Sequence, residues 1–274
     1  MPALPPIRPE DEAVALKSRP AGAFDEPAAG EADAARRDYL LRLGDDALIL
    51  GQRLGEWCGH APALEVDLSL ANLALDLIGQ ATHLLGAAGD ADQLAFHRDV
   101  LDFRNCLLVE QPNGDFARTM ARQLLFSTWQ HMLFERLVNS SDEALRGIAG
   151  KAVKEVAYHR ELAAEWTVRL GDGTEESARR MRDGLDWCWR FIPELFEVDE
   201  LLGGLIDNGI AVDPRIFEED YRSAISAVLA DAKLATPLEQ RPILGGRRGH
   251  HSEHLGHLLA QMQFLPRTYP DATW

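Results

Sequence analysis

From Ala35 almost to the end of this chain, apolar residues return every three or four positions, and nowhere do they alternate as strand residues do. That spacing lays them along one face of a helix. In "RRDYLLRLGDDALILGQRLGEWCGH" the face consists of Leu40, Leu43, Ala47, Leu50, Leu54 and Trp57. "PALEVDLSLANLALDLIGQATHLLGAAG" is apolar around most of its circumference, which predicts a helix buried on several sides. "GDFARTMARQLLFSTWQHMLFERLVNS" is a third long segment, and a fourth opens at Ser140, with Glu143 in the capping-box position, and runs to about Leu170. Thr174 caps a fifth, "SARRMRDGLDWCWRFIPELF", which Pro193 should kink or begin to end. Asp213 and Pro214 are an N-cap and first-turn pair for a sixth helix through about Leu234, and a last helix begins near His251. The class is all-α: a four-helix bundle built with hairpins, with additional C-terminal helices.

Residues 1–34 stand apart. They hold six of the fourteen prolines and show no sustained periodicity, so they read as a disordered or loosely docked N-terminal arm before a helical domain over 35–274. A hydrophobic fraction of 46% across 274 residues fills a core without disulfides. Cys58, Cys106 and Cys188 are widely separated, each in an apolar helical stretch, and are expected to be buried free thiols. A net charge of −16 repels phosphates and argues against nucleic acid as the main partner, while suiting a basic protein partner. Charged residues interrupt every apolar run short of membrane-spanning length, and the N-terminus lacks a secretory pattern, so the expected location is cytoplasmic.

Long helical bundles of this kind hold diiron centres by a recurring device: one carboxylate from each of two helices and a Glu-x-x-His from each of the other two. No Glu or Asp in this chain has a His three positions later. "KEVAYHRE" carries His159 on a helix, yet Val156, three positions before it, has no donor atom. The segments "YLLRLGDDALILGQRLGEWCGHAPALEVDLSLANLALDLIGQA", "LLVEQPNGDFA", "KAVKEVAYHRE", "GIAVDPR" and "HSEHLG" resemble the PaaC-type structural subunits of bacterial phenylacetyl-CoA epoxidase, from about Tyr39 to Trp274. The resemblance implies a ferritin-like bundle that pairs with a related catalytic subunit. That partner would hold the diiron centre of a complex that epoxidises the aromatic ring of phenylacetyl-CoA with O2 and electrons from NADPH. Laid over this chain, the catalytic ligand pattern falls on Leu50, on Leu77 and Gln80, near Ser127 or Thr128, and on Val156 and His159. Iron needs several anionic oxygen donors, and leucine and valine supply none. His159 is then expected to be a remnant bonded to a buried neighbour such as Gln80, within a buried ion-pair network that includes Asp76.

Two further motifs carry chemistry. "HHSEHLGH" sets His251, His254 and His257 at helical spacing with Glu253 beside them, a set that suits a divalent ion or, in the favoured form, a polar structural network. "GGRRGHH" brings Arg247 and Arg248 to a glycine-rich helix entry, which suits a coenzyme A phosphate or an acidic patch on a partner; the plain alternative is a solvated turn. Arg53 and Glu56 are expected to pair on the surface, and the six tryptophans to anchor core or interface. No phosphate-binding glycine loop, dinucleotide fingerprint or nucleophile elbow is present. The expected function is a catalytically silent subunit, without a cofactor of its own, that stabilises a diiron partner and the other subunits of the complex. The alternative is a self-sufficient metal-dependent oxidoreductase using His159 or the C-terminal histidines. Whether the isolated chain forms a homodimer is left open.

Overall fold

The structure, a computed structural model, describes residues 31–270, and in that range it is all-α. Helix α1 spans Glu31–Gly55 and α2 spans Leu64–Ala88. They lie antiparallel, with Gly44 against Leu84 and Leu85 and Gly51 against Ala74 and Leu77. A β-carbon at Gly51 would stand 3.3 Å from the Ala74 carbonyl oxygen, so glycine there lets the two backbones approach closely. Two short helices, α3 (Ala91–Phe96) and α4 (Leu107–Glu110), lead to α5 (Phe116–Leu137), most of whose residues are buried. Helix α6 (Glu143–Gly171) returns antiparallel to α5, with the Phe116 and Trp166 rings edge to face at 5.1 Å. The two hairpins share one core, to which Leu40, Leu50, Leu73, Leu77, Leu124 and Val156 all contribute fully buried side chains.

Helix α7 (Glu175–Trp189) packs across α5 and is capped by Thr174, which exchanges hydrogen bonds with Ser177. It stops before Pro193, which lies in a 3-10 turn, Ile192–Phe196. Beyond come α8 (Glu200–Asp207), α9 (Glu218–Asp231), α10 (Glu253–Met262) and α11 (Phe264–Thr268).

The sequence reading differs from the structure at several element ends. Helix α6 is capped by Asp142, which accepts from the Leu145 N–H at 2.9 Å; Ser140 instead donates to the Ile210 carbonyl at 2.7 Å. Asp213 caps a 3-10 turn (Pro214–Phe217) that precedes α9. Helix α9 ends before Leu234 because Lys233 turns left-handed, with φ 57°, and the Leu234 N–H closes back on the Leu229 carbonyl at 2.9 Å. Helix α1 begins at Glu31, four residues ahead of the expected domain start; the rest of the expected arm lies outside the described residues. Cys106 and Cys188 are buried, but Cys58 is exposed in the turn after α1. No helix among the described residues is long and apolar enough to cross a membrane.

Candidate functional site

Where α2, α5 and α6 meet, polar side chains pair on two levels, the buried His159, Gln80 and Gln130 with the half-buried Asp76 and Glu155. Asp76 and His159 form the first: the His159 ring Nε2 lies 3.1 Å from an Asp76 carboxylate oxygen. One helical turn along, Gln80 donates to Glu155 at 3.1 Å and accepts from the Gln130 amide at 3.1 Å. The expected Gln80–His159 bond is therefore not made. In the antiparallel register Gln80 stands level with Glu155 and Asp76 with His159, and a carboxylate is the stronger acceptor for an imidazole N–H.

Leu50, Leu77 and Val156 are fully buried beside this ladder and contribute only packing. Thr128 donates to the Leu124 carbonyl of its own helix at 2.7 Å, while the buried Ser127 hydroxyl and the His159 Nδ1 have no protein partner. One imidazole, two carboxylates on different levels and neutral amides make a poor donor set for two iron ions, which need clustered anionic oxygens. Among the described residues no group of three or more His, Cys, Asp and Glu side chains is placed to hold a metal ion. A diiron centre does not fit here. Nor is this the expected ion-pair network, since it holds a single His–Asp contact and an amide ladder.

The charged network lies elsewhere, where α1 meets residues 98–110 and the C-terminal segment. Asp45 and Asp46 are buried on α1. Asp45 receives the Arg98 guanidinium at 3.0 Å and the Arg104 N–H at 2.8 Å. Asp46 receives Arg247 at 2.8 Å and the Cys106 N–H at 2.7 Å. Glu194 accepts from the backbone N–H groups of Leu107, Gly245 and Gly246 at 2.6, 2.8 and 2.7 Å. Gly246 is required for that approach, because a β-carbon on it would sit 2.3 Å from the Asn105 carbonyl oxygen. Burial pushes the Asp45, Asp46 and Glu194 carboxyls up, against the pull of Arg98 and Arg247. Burial also works against the charge on Arg247, but its neighbours together, Asp46 foremost and Glu194 among them, hold that guanidinium above its ordinary range.

Glu110, fully buried, completes the network. One of its oxygens faces His251 Nδ1 at 2.7 Å and accepts from Asn105 at 2.9 Å; the other accepts from the Ser252 N–H at 2.6 Å. His251 Nε2 lies 3.0 Å from the Phe103 carbonyl. A carbonyl only accepts, so Nε2 carries a proton, and Nδ1 against a carboxylate favours a second. Burial lowers the affinity of the ring for that proton, yet the Glu110 bond and charge prevail and raise the His251 pKa.

The C-terminal motifs are thus structural in their geometry. The Arg247 guanidinium is occupied inside the chain, and Arg248 pairs with Glu197 at the surface, so the basic turn does not present two free cations to an anion. His251 precedes α10 rather than lying on it; Glu253 and His257 are not buried, and the half-buried His254 gives its carbonyl to Arg53 at 3.0 Å. Arg53 does bond Glu56 at 2.8 Å, but from a buried position in which it also donates to the Glu110 carbonyl at 2.8 Å. Sequence reasoning missed Glu110 and Glu194. Their signal was an acid inside an apolar run, "NCLLVEQP" and "FIPELFE".

The family described as phenylacetic acid catabolic protein matches residues 24–274. The PaaC subunit of the 1,2-phenylacetyl-CoA epoxidase of Escherichia coli (strain K12) is 49% identical over 242 residues, which cover 86% of this chain and 98% of that protein.

Proposed function

This chain belongs to the phenylacetic acid catabolic protein family, and from that premise we propose that it is the non-catalytic, structural subunit of a multicomponent phenylacetyl-CoA epoxidase. Its bundle is ferritin-like in this reading and pairs with a catalytic subunit of related fold that carries the diiron centre. The observation that carries the proposal is the apolar filling at Leu50, Leu77 and Val156, with the one remaining ligand type, His159, engaged by Asp76. A bundle so filled avoids the repulsion of several buried carboxylates held together without metal. It is free to act as a rigid support, and metal sites depend on such support to hold their ligands in place. The Escherichia coli relative is named as one subunit of an epoxidase, which implies further subunits, and the acidic surface would set orientation against them.

The test is direct. The purified chain is expected to contain substoichiometric iron and to show no oxygenase activity on phenylacetyl-CoA, and co-expression with the catalytic subunit is expected to yield turnover. Stoichiometric iron bound by this chain alone, or turnover without the partner, overturns the reading.

A further inference from the structure

Helices α2 and α6 lie side by side, and each shows a patterned stripe away from the core. On α2 the stripe runs through Leu68, Asn72, Leu75, Gly79, Thr82 and Gly86. Leu68 is 58% exposed and Leu75 66%, and a β-carbon built on Gly79 or Gly86 meets no atom within 4 Å. The stripe is symmetric about position 77: Leu75 and Gly79 lie two residues to either side, Asn72 and Thr82 five, Leu68 and Gly86 nine. Two α2 helices laid antiparallel across that point place each leucine over a glycine and each asparagine beside a threonine.

The α6 stripe is Lys151, Lys154, Tyr158, Glu161 and Glu165, all exposed. Here the symmetry is one of charge. Lys151 and Glu165 stand seven residues before and after Tyr158, and Lys154 and Glu161 stand four before and three after. Two α6 helices antiparallel across Tyr158 bring the lysines of each against the glutamates of the other. Glu165 has a local partner in Arg169 at 3.3 Å, an exposed pair that exchanges readily.

The two centres coincide. The Asp76–His159 and Gln80–Glu155 contacts fix the antiparallel register of α2 against α6, and in that register position 77 stands level with Tyr158. A single two-fold axis, perpendicular to both helices, therefore satisfies the leucine–glycine pattern and the charge pattern together. Self-complementarity about one axis is the requirement for an isologous interface, and Leu68 and Leu75 supply its apolar contacts. We propose that the α2–α6 face is a two-fold interface between two copies of this chain. Such a dimer does not depend on any role in an oxygenase.

The test is the oligomeric state of the full chain by size exclusion with light scattering, with the wild type expected at twice the 30.4 kDa chain mass. K151E/K154E makes the α6 stripe wholly acidic, and E161K/E165K makes it wholly basic. Each variant alone is expected to be monomeric with unchanged helical content, and the two mixed are expected to pair with each other. Gly79→Leu fills the hole that receives Leu75 and gives a monomer whose melting temperature is not below that of the dissociated wild type, because the site is open within the chain. A monomeric wild type at tens of micromolar, a dimer that survives both charge reversals, or variants that fail to pair when mixed each overturn the proposal. A monomeric wild type whose α2–α6 variants instead lose the catalytic subunit overturns it too and assigns the face to that partner.

Discussion

Asp46 and Arg247 show how little a buried charge tolerates. Their contact at 2.8 Å is out of water, so removing one partner leaves the other both desolvated and unpaired. Arg247→Met is expected to cost about 3–5 kcal/mol of unfolding free energy, measured by urea denaturation. The pH dependence has a definite sign. The folded pKa of His251 is raised, so its contribution is fully present below its unfolded value near 6.5 and is lost as pH rises through the folded value. Asp45, Asp46 and Glu194, raised by burial, act in the same direction from lower pH. Stability should therefore fall as pH rises above about 6.5, and His251→Gln should flatten that part of the curve. At the bundle centre, Leu77→Glu would place an unpaired carboxylate where no cation stands, with a cost of roughly 3–5 kcal/mol read from the same denaturation curves. The residue types at these positions were visible from spacing alone. The Arg53–Glu56 pair was visible in the same way, but the Asp76 partner of His159 and the Glu110 carbonyl that Arg53 also binds were not, because a side chain's choice among neighbours depends on helix register in three dimensions.

Among elements, the long helices were the most legible, since their periodic apolar faces are dictated by burial of Leu40, Leu50, Leu73 and Leu124. Ends were harder. "SSDE" offers two capping patterns, and Asp142 prevails over Ser140 because its carboxylate reaches the Leu145 N–H while also binding the Arg36 guanidinium. Asp142→Ala is expected to lower stability by about 1 kcal/mol, more than Ser140→Ala, in parallel thermal melts. Helix α8 escaped notice because its eight residues are too short for a convincing period. The stretch between α9 and α10 carries few periodic signals, and its path is set by Glu194 and Arg247 reaching distant backbone rather than by local propensity.

At the scale of the whole molecule, the all-α class followed from pattern, whereas the position of the charged network did not. The expectation that it would occupy the place of an iron centre failed for a plain reason: the bundle middle is closed by packing, and the acids on α1 point instead toward Arg98, Arg104 and Cys106 in the connection before α5 and toward Arg247. On the proposed reading an amide ladder stands where a catalytic bundle would hold its reactive centre, and the buried charges fasten one part of the chain to another. Metal analysis and oligomeric state report on these two aspects independently.

Asp46 lies in the first long helix and Arg247 some two hundred positions later. During synthesis the acid is made long before its counter-ion, so the N-terminal hairpin waits with an unmet charge until the segment around Arg247 leaves the ribosome. A message cut short before Arg247 would yield a product that cannot settle, and the cell's proteases would recognise it as unfinished.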